Sequence, residues 1–307
     1  MKVSVIIPVY NGEKTIERCI KSVKKQTLFE IEIIVIDDGS TDSTLDILYQ
    51  IPNITVIHQE NLGQGEARNA GMRASSGEYI AFVDADDIIK EDMLFTMYEK
   101  AVETNADIVQ CNLTDIYPNG KTNVQLKRRK GLVKVRDSAK YTAKYLAPCI
   151  HSFEVCNKLF KREFIAENNL KFADTKKYFS EDILFNMEAV KHLKRIYFID
   201  EPYYYYIQNP NGHLNSNPEE RIIKMQRLFD DFSAELNGKM KSAAAYLESM
   251  VMLYNLGKCK KSVQCVKPKI KSALTAPCKL KQRLFLTAVL ILPDGIGRRL
   301  AEIYAGR

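Results

Sequence analysis

Asp84, Asp86 and Asp87 place three carboxylates within four residues, directly after the apolar run Tyr79-Ile80-Ala81-Phe82-Val83. Like charges ~4 Å apart at an effective dielectric of ~20 repel by about 4 kcal/mol. A chain relieves this by protonating a group, by splaying the side chains into water, or by binding a cation. Alternate acidic residues can offer hard oxygen ligands to Mg2+ or Mn2+, with a diphosphate completing the shell. The plainer alternative is a solvated turn in which Asp86 or Asp87 caps the next helix. The preceding run argues for the ligand reading, because a buried strand would fix the acidic residues at a sheet's mouth.

Other residue groups could take part. Asp37-Asp38-Gly39-Ser40 closes the run Ile31 to Ile36. One carboxylate there can accept hydrogen bonds from a base or ribose edge while the other caps the turn. Arg68, in Gly63-Gln64-Gly65-Glu66-Ala67-Arg68-Asn69, falls about one turn into a helix. Its guanidinium suits a phosphate, or else a surface ion pair. In Ser180-Glu181-Asp182, Ser180 can cap a helix whose first turn favours both acidic residues. His151, His192 and His213 lack partners at metal-ligand spacing and read as surface or structural residues.

These groups need a frame, and the first half supplies one. Val3 to Ile7 is a short β-branched run that reads as a strand, and Ile31 to Ile36, Ile54 to Ile57, Tyr79 to Val83 and Asp107 to Asn112 read as further strands. Between them, apolar residues recur at helical spacing, as with Ile16, Ile20 and Val23. Short strands alternating with amphipathic helices predict βαβ units and an α/β, mostly parallel sheet flanked by helices. Ligands of such sheets sit beyond the carboxyl ends of the strands. Pro8-Val9-Tyr10-Asn11, Asp37-Asp38 and Asp84 to Asp87 all fall at those ends. After Pro118 the rhythm breaks, and Lys127 to Gly131 reads as an exposed loop. Helices are expected over 137–146, 153–168 and 181–192, a strand over 195–199 before Tyr203-Tyr204-Tyr205-Tyr206, and helices over 221–236 and 242–256. The expected boundary lies near Asn217, dividing the chain into 1–217 and a helical region, 218–307.

Composition narrows the classes. The 307 residues are 46% hydrophobic and 27% charged, which suits a folded globular chain. The net charge of +7 is concentrated: Lys258 to Arg283 holds nine cationic residues and no Asp or Glu. No aromatic residues interleave with them, which argues against a nucleic-acid partner. Apolar sequence from Leu284 to Leu292 follows, well short of the ~20 residues that span a bilayer. The 258–292 segment therefore reads as a peripheral contact with an anionic membrane, a solvated helix face being the alternative. Seven cysteines without a CxxC pair form neither a disulfide framework nor a zinc site. Met1-Lys2-Val3-Ser4 leads straight into a strand, so the expected location is cytoplasmic. A nicotinamide oxidoreductase needs a glycine-rich turn where this chain has Pro-Val-Tyr-Asn-Gly.

Val5-Ile6-Ile7-Pro8-Val9-Tyr10-Asn11, Val35-Ile36-Asp37-Asp38-Gly39-Ser40-Thr41-Asp42, Asn61-Leu62-Gly63 with Ala67-Arg68-Asn69-Ala70-Gly71, and Tyr79 to Asp87 resemble the successive signatures of family 2 glycosyltransferases, in family order. The resemblance implies a GT-A fold, an inverting mechanism and a nucleoside-diphosphate sugar donor, usually a UDP-sugar. It implies that Pro8 and Tyr10 line the base pocket with Asn11 among the nucleotide contacts, and that Asp38 bonds the uracil edge. Arg68 would lie near the nucleotide, Asp84 near the ribose or metal, and Asp86 would ligate Mn2+ or Mg2+. Asn157 to Arg162, Ser180 to Phe185 and the tyrosine run resemble the branch that builds bacterial surface polysaccharides, although Cys156 and Ile207 replace its usual aromatic and Arg. That branch implies Asp182 as general base, with Glu181, Lys158 and His213 as acceptor or phosphate contacts. Residues 1–112 would then bind the nucleotide sugar and 113–217 a saccharide or lipid-linked saccharide acceptor. The alternative is a catalytically degenerate partner subunit that binds nucleotide without turnover. Intact Asp86 and Asp182 argue against it.

Overall fold

The computed structural model describes residues 1–125, 129–209, 218–258 and 264–305. The described chain divides into two compact units. One holds the described residues of Met1–Val135, Glu154–Lys177 and Glu181–Gly212, the other those of Arg136–Phe153, Tyr178–Ser180 and His213–Arg307.

The first unit carries a ten-stranded mixed sheet among the described residues. Its strands are β1 (Val3–Val9), β2 (Ile31–Asp37), β3 (Thr55–His58), β4 (Tyr79–Phe82), β5 (Ile88–Ile89), β6 (Ile108–Ile116), β7 (Thr122–Gln125), β8 (Gly131–Lys134), β9 (Lys158–Lys161) and β10 (Arg195–Ile207). The order is β3-β2-β1-β4-β9-β6-β10-β5, with β7 on β6 and β8 on β10. Strands β3, β2, β1 and β4 run parallel, as do β6 and β10, while β9 is antiparallel to both β4 and β6. Every residue of β1 is buried, as a two-faced central strand requires. Helices α1 (Ile16–Lys24), α2 (Thr44–Gln50), α3 (Gln64–Ala74) and α4 (Met93–Thr104) provide the crossovers. In α1, Ile16, Cys19, Ile20 and Val23 form the buried stripe that the sequence period predicts.

The register fixes what meets at the carboxyl edge. Val9 pairs with Asp37, and Asp37 with His58, so the loops after β1, β2 and β3 leave the sheet side by side. Gly39 turns the second loop at a φ of 75°, and a Cβ there would stand 2.8 Å from the Asn61 nitrogen.

The middle of the chain departs from the sequence expectation. α5 (Ser138–Tyr141), in the second unit, continues into a π-helical turn over Thr142–Leu146. The helix expected over 153–168 is instead strand β9 followed by the short α6 (Arg162–Glu167). Leu159 and Phe160 are fully buried, and pairing with two neighbouring strands outweighs local helix preference in so short an apolar run. α7 spans Glu181–His192 as expected. The strand expected over 195–199 runs on through the tyrosines to Ile207, with irregularities either side of Pro202 that absorb the missing N–H. In the second unit α8 (Pro218–Ala234), α9 (Gly238–Lys258), α10 (Lys267–Ala273), α11 (Leu280–Ile291) and α12 (Asp294–Ala305) follow. Lys127, Arg128, His213, Asn217, Cys259, Lys260 and Lys261 lie outside the described residues.

Candidate functional site

The site grows from the loops at the carboxyl edge. Asp38 follows β2 and is 3% exposed. Its carboxylate accepts from the Leu62 N–H at 2.9 Å, the Gly63 N–H at 2.8 Å and the Gln59 amide at 2.7 Å. Those bonds fix the 59–63 loop and the start of α3. The next residue, Gln64, donates from Nε2 to Asp84 Oδ1 at 3.2 Å, so adjacent residues tie Asp38 and Asp84 to one rim. Asn11, with φ at 52°, receives the Thr41 N–H on its side-chain oxygen at 2.8 Å and donates its own N–H to Ser40 Oγ at 2.9 Å. It thereby staples the β1 loop to the β2 loop. Pro8 is buried within β1, while Tyr10, 48% exposed, stands on the loop beyond it.

Arg68 forms the centre of the site and is 2% exposed. Its Nη2 donates to Asp84 Oδ1 at 2.9 Å, and its Nη1 to Glu181 Oε1 at 2.5 Å and Asp182 Oδ1 at 2.9 Å. The guanidinium lies over the Phe172 ring, 5.2 Å from its centroid. Small residues on α3 make this burial geometrically feasible. Gly65 lets the 170–177 segment approach, since a Cβ there would stand 2.3 Å from the Ala173 carbonyl oxygen. Asn69 then clamps Phe172 through both backbone groups, at 3.0 and 2.8 Å. Phe172 in turn stacks on Phe185 of α7 at 4.2 Å, the helix whose first turn carries Glu181 and Asp182.

One guanidinium facing three carboxylates leaves an excess of acid in a dry place. Burial pushes the Asp182 carboxyl up to about 7, and the charges of Glu181 and Asp84 push the same way. Arg68 and the Val155 N–H, at 3.4 Å, oppose the shift. Asp182 nevertheless keeps 21% of its side chain exposed. A carboxylate of near-neutral pKa with access to solvent is equipped to take a proton from a hydroxyl.

The acidic turn after β4 divides its work. Asp87 is fully buried. It accepts the Tyr204 hydroxyl and the Ile207 N–H, both at 2.7 Å. The same hydroxyl accepts the Asp84 N–H at 3.1 Å, and the Asp87 N–H returns to the Asp84 carbonyl at 3.0 Å. Burial, then the charges of Asp84 and Asp86, hold the Asp87 carboxyl well above the usual range, against these two donors. Asp86 is half-buried, and Arg18 of α1 donates to its backbone carbonyl at 2.7 Å.

The sequence model for glycosyl transferase family 2 matches residues 4–168. The chain belongs to that family. It is 36% identical over 214 residues to the glycosyltransferase EpsJ of Bacillus subtilis (strain 168), covering 68% of this chain and 62% of that one. It is 30% identical over 256 residues to the glycosyltransferase YibD of Escherichia coli (strain K12), covering 78% and 73%. A poly(ribitol-phosphate) beta-glucosyltransferase of Bacillus spizizenii is 35% identical over 224 residues, which cover 70% of this chain but 34% of that protein. The matched stretch is thus less than two thirds of EpsJ and about one third of the glucosyltransferase. The crystal structure of S. aureus TarS 1–349 in complex with UDP-GlcNAc superposes with a TM-score of 0.70 at 23% identity, covering 100% of this chain and 92% of that one. The fold is accordingly GT-A.

Three of the expected site residues are held by partners within the chain. Arg68 is 2% exposed and so is not a surface ion pair, and its two terminal nitrogens bond the carboxylates of Asp84, Glu181 and Asp182. Asp38 holds the 59–63 loop through the Gln59 amide and the Leu62 and Gly63 N–H groups. Lys158 is fully buried in β9 and donates to the Glu154 carbonyl and to Asn157 Oδ1. His213 lies outside the described residues. His151 is buried against Tyr141 in the second unit, at 2.8 Å from its hydroxyl, and His192 is exposed at the end of α7.

Sequence reasoning missed Tyr204, Phe172, Gln64 and the pair formed by His58 Nδ1 and Asp37 Oδ2 at 2.7 Å. The tyrosine run signalled the first of these without saying which hydroxyl mattered. The strand register, Asp37 opposite His58, produces the last. For a divalent cation, no group of three His, Cys, Asp or Glu side chains among the described residues could hold one. Asp84 bonds Arg68 and Asp87 bonds Tyr204, and Asp86 is the residue of this turn expected from the sequence to ligate a cation. Mg2+ and Mn2+ accept one or two carboxylates plus substrate phosphates. The donor set therefore fits an ion that binds together with a diphosphate.

Proposed function

We propose that this chain is an inverting glycosyltransferase that moves a sugar from a nucleoside diphosphate, UDP first among them, to a hydroxyl of a saccharide or lipid-linked saccharide in surface polysaccharide synthesis. One observation carries the reading: Asp182, with a pKa raised to about 7, is held by buried Arg68 beside Asp84 at the carboxyl edge of the sheet. Asp182 takes the acceptor proton as its oxygen attacks the anomeric carbon. Arg68 orients Asp182 and Asp84 together and opposes the rise that burial gives the Asp182 pKa. Tyr10 and Pro8 face the nucleobase, Asn11 and Asp38 hold the loops that shape its pocket, and Asp84 meets the ribose. Asp86 would hold Mn2+ or Mg2+, which when bound offsets charge on the departing diphosphate.

Support for a UDP-sugar comes from TarS, crystallised with UDP-GlcNAc, and support for a polymer acceptor from relatives that act on poly(ribitol-phosphate). A mannosyltransferase of the same fold was crystallised with GDP-Man and Mn2+. The protein works at the cytoplasmic face of a membrane, held peripherally through 258–292; no described helix is long and apolar enough to cross one. The test is turnover of UDP-glucose, UDP-galactose and their N-acetyl forms with Mn2+. Asp182→Asn should abolish transfer and leave UDP binding intact. Transfer surviving in that variant rejects the base assignment.

A further inference from the structure

α11 and α12 each bury one side within the second unit and leave an apolar stripe on the other. In α11, Leu286 and Val289 are buried, whereas Leu280, Leu284 and Ile291 are exposed. At ~100° per residue those three lie within about 40° of one another, with Lys281 on one flank and Arg283 on the other. In α12, Gly297, Ala301 and Ala305 are buried, and Ile296 and Ile303 are exposed one face away, with exposed Arg299 at their side. Buried Leu and Val on one side explain why α11 packs. They do not explain the second apolar side, which costs solubility unless something covers it.

Charge identifies the occupant. Between Lys267 and Ala305 the exposed cations are Lys271, Lys279, Lys281, Arg283, Arg298 and Arg299, whereas Asp294 and Glu302 are the acidic residues of that stretch. Arg298 pairs with Glu302 at 3.6 Å. Apolar stripes flanked by cations on helices too short to span a bilayer match the chemistry of an anionic lipid surface: acyl chains for Leu280, Leu284 and Ile291, and headgroup phosphates for Lys279, Lys281 and Arg299.

We propose that the outer face of α11 and α12 is the membrane-docking surface of this protein and takes anionic phospholipid. The proposal rests on the peripheral reading above and moves its centre from 258–292 to residues 279–303. Contact made through this face, with no helix crossing the bilayer, leaves binding reversible and dependent on salt and lipid charge.

The test is co-sedimentation of the full chain with vesicles of phosphatidylglycerol and phosphatidylcholine, or of phosphatidylcholine alone. Two triple variants, Leu280→Ser/Leu284→Ser/Ile291→Ser and Lys279→Glu/Lys281→Glu/Arg299→Glu, are compared with the parent chain. All six side chains are exposed, so unchanged thermal melts control for folding. The parent should bind the anionic vesicles and release at high salt. The apolar variant should lose at least about tenfold in partitioning, and the charge variant its preference for anionic lipid. Binding by the parent that both variants retain would overturn this surface and leave membrane attachment standing elsewhere. Parent protein that ignores both vesicle types overturns the peripheral reading as well. Self-association of the parent that the apolar variant abolishes would assign the face to a second copy and overturn the proposal. Turnover of the UDP-sugar on a soluble acceptor, measured in parallel, should not change in either variant, which separates a failure here from a failure of the glycosyltransferase reading.

Discussion

Replacing Arg68 by Met removes one cation from among three carboxylates while keeping most of the side chain's volume. At 2.9 Å and an effective dielectric of ~20, each Arg68–carboxylate attraction is about 6 kcal/mol gross. Much of that offsets the desolvation of a guanidinium that is 2% exposed. The net effect of deleting one partner from a buried ion pair is about 3–5 kcal/mol, which corresponds to a melting temperature lower by roughly 6–20 °C. The loss must depend on pH, and its sign is fixed. Asp182 has its folded-state pKa raised to about 7, above the ordinary carboxylate value. The folded state therefore holds the extra proton, and this group's contribution falls as pH rises from about 4 to about 7. Without Arg68 the opposing attraction disappears, so the carboxyl moves further up and the penalty at alkaline pH grows. Near pH 5 the protonated Asp182 has little need of the guanidinium, so the deficit of the variant should be smaller there than at pH 8. Thermal melts of both proteins at pH 5 and pH 8 measure this. A variant that melts within a degree or two of the parent at pH 8, or a deficit equal at both pH values, would refute the account of Arg68 as the counter-charge of the site.

Other expectations follow from the same geometry. The kcat/KM of transfer should rise with pH through about 7 and then level, because the deprotonated Asp182 is the reactive form; a rising limb near pH 4 would remove Asp182 as the base. Asp86→Ala should abolish the stabilisation that UDP with Mn2+ confers in a thermal-shift assay, and unchanged stabilisation would exclude Asp86 as the ion's ligand. Tyr204→Phe deletes the hydroxyl shared by the Asp84 N–H and the Asp87 carboxylate. It should weaken Mn2+–UDP binding measured by calorimetry several-fold while the fold persists, because the bonds at stake are worth about 1–3 kcal/mol; calorimetry indistinguishable from the parent would show that the acidic turn needs no brace.

Much was legible in the chain before folding. The parallel half of the sheet followed from β-branched runs such as Val3 to Ile7 and Ile31 to Ile36, because a strand buried on both faces leaves a continuous apolar signature. The acidic turn, the Asp37-Asp38 turn and the Asn11 loop were placed correctly at the carboxyl edge, since each directly follows such a run. Roles within the site were less legible. A sequence shows that Asp84, Asp86 and Asp87 are neighbours, but Asp87 became a buried brace only because β10 delivers Tyr204 and Ile207 to it.

Local pattern therefore determined most of the elements and their polar ends, because periodicity and turn chemistry act over a few residues, while the family rested on the resemblance of four motifs in order. Tertiary structure alone decided that Lys158 to Lys161 is a strand, since two partner strands far along the chain outvote a local preference. It also decided what Arg68 does. Its three acidic partners lie 16, 113 and 114 positions away. A charge becomes a phosphate ligand or a counter-ion according to which oppositely charged groups the fold brings to it, and how little water remains between them.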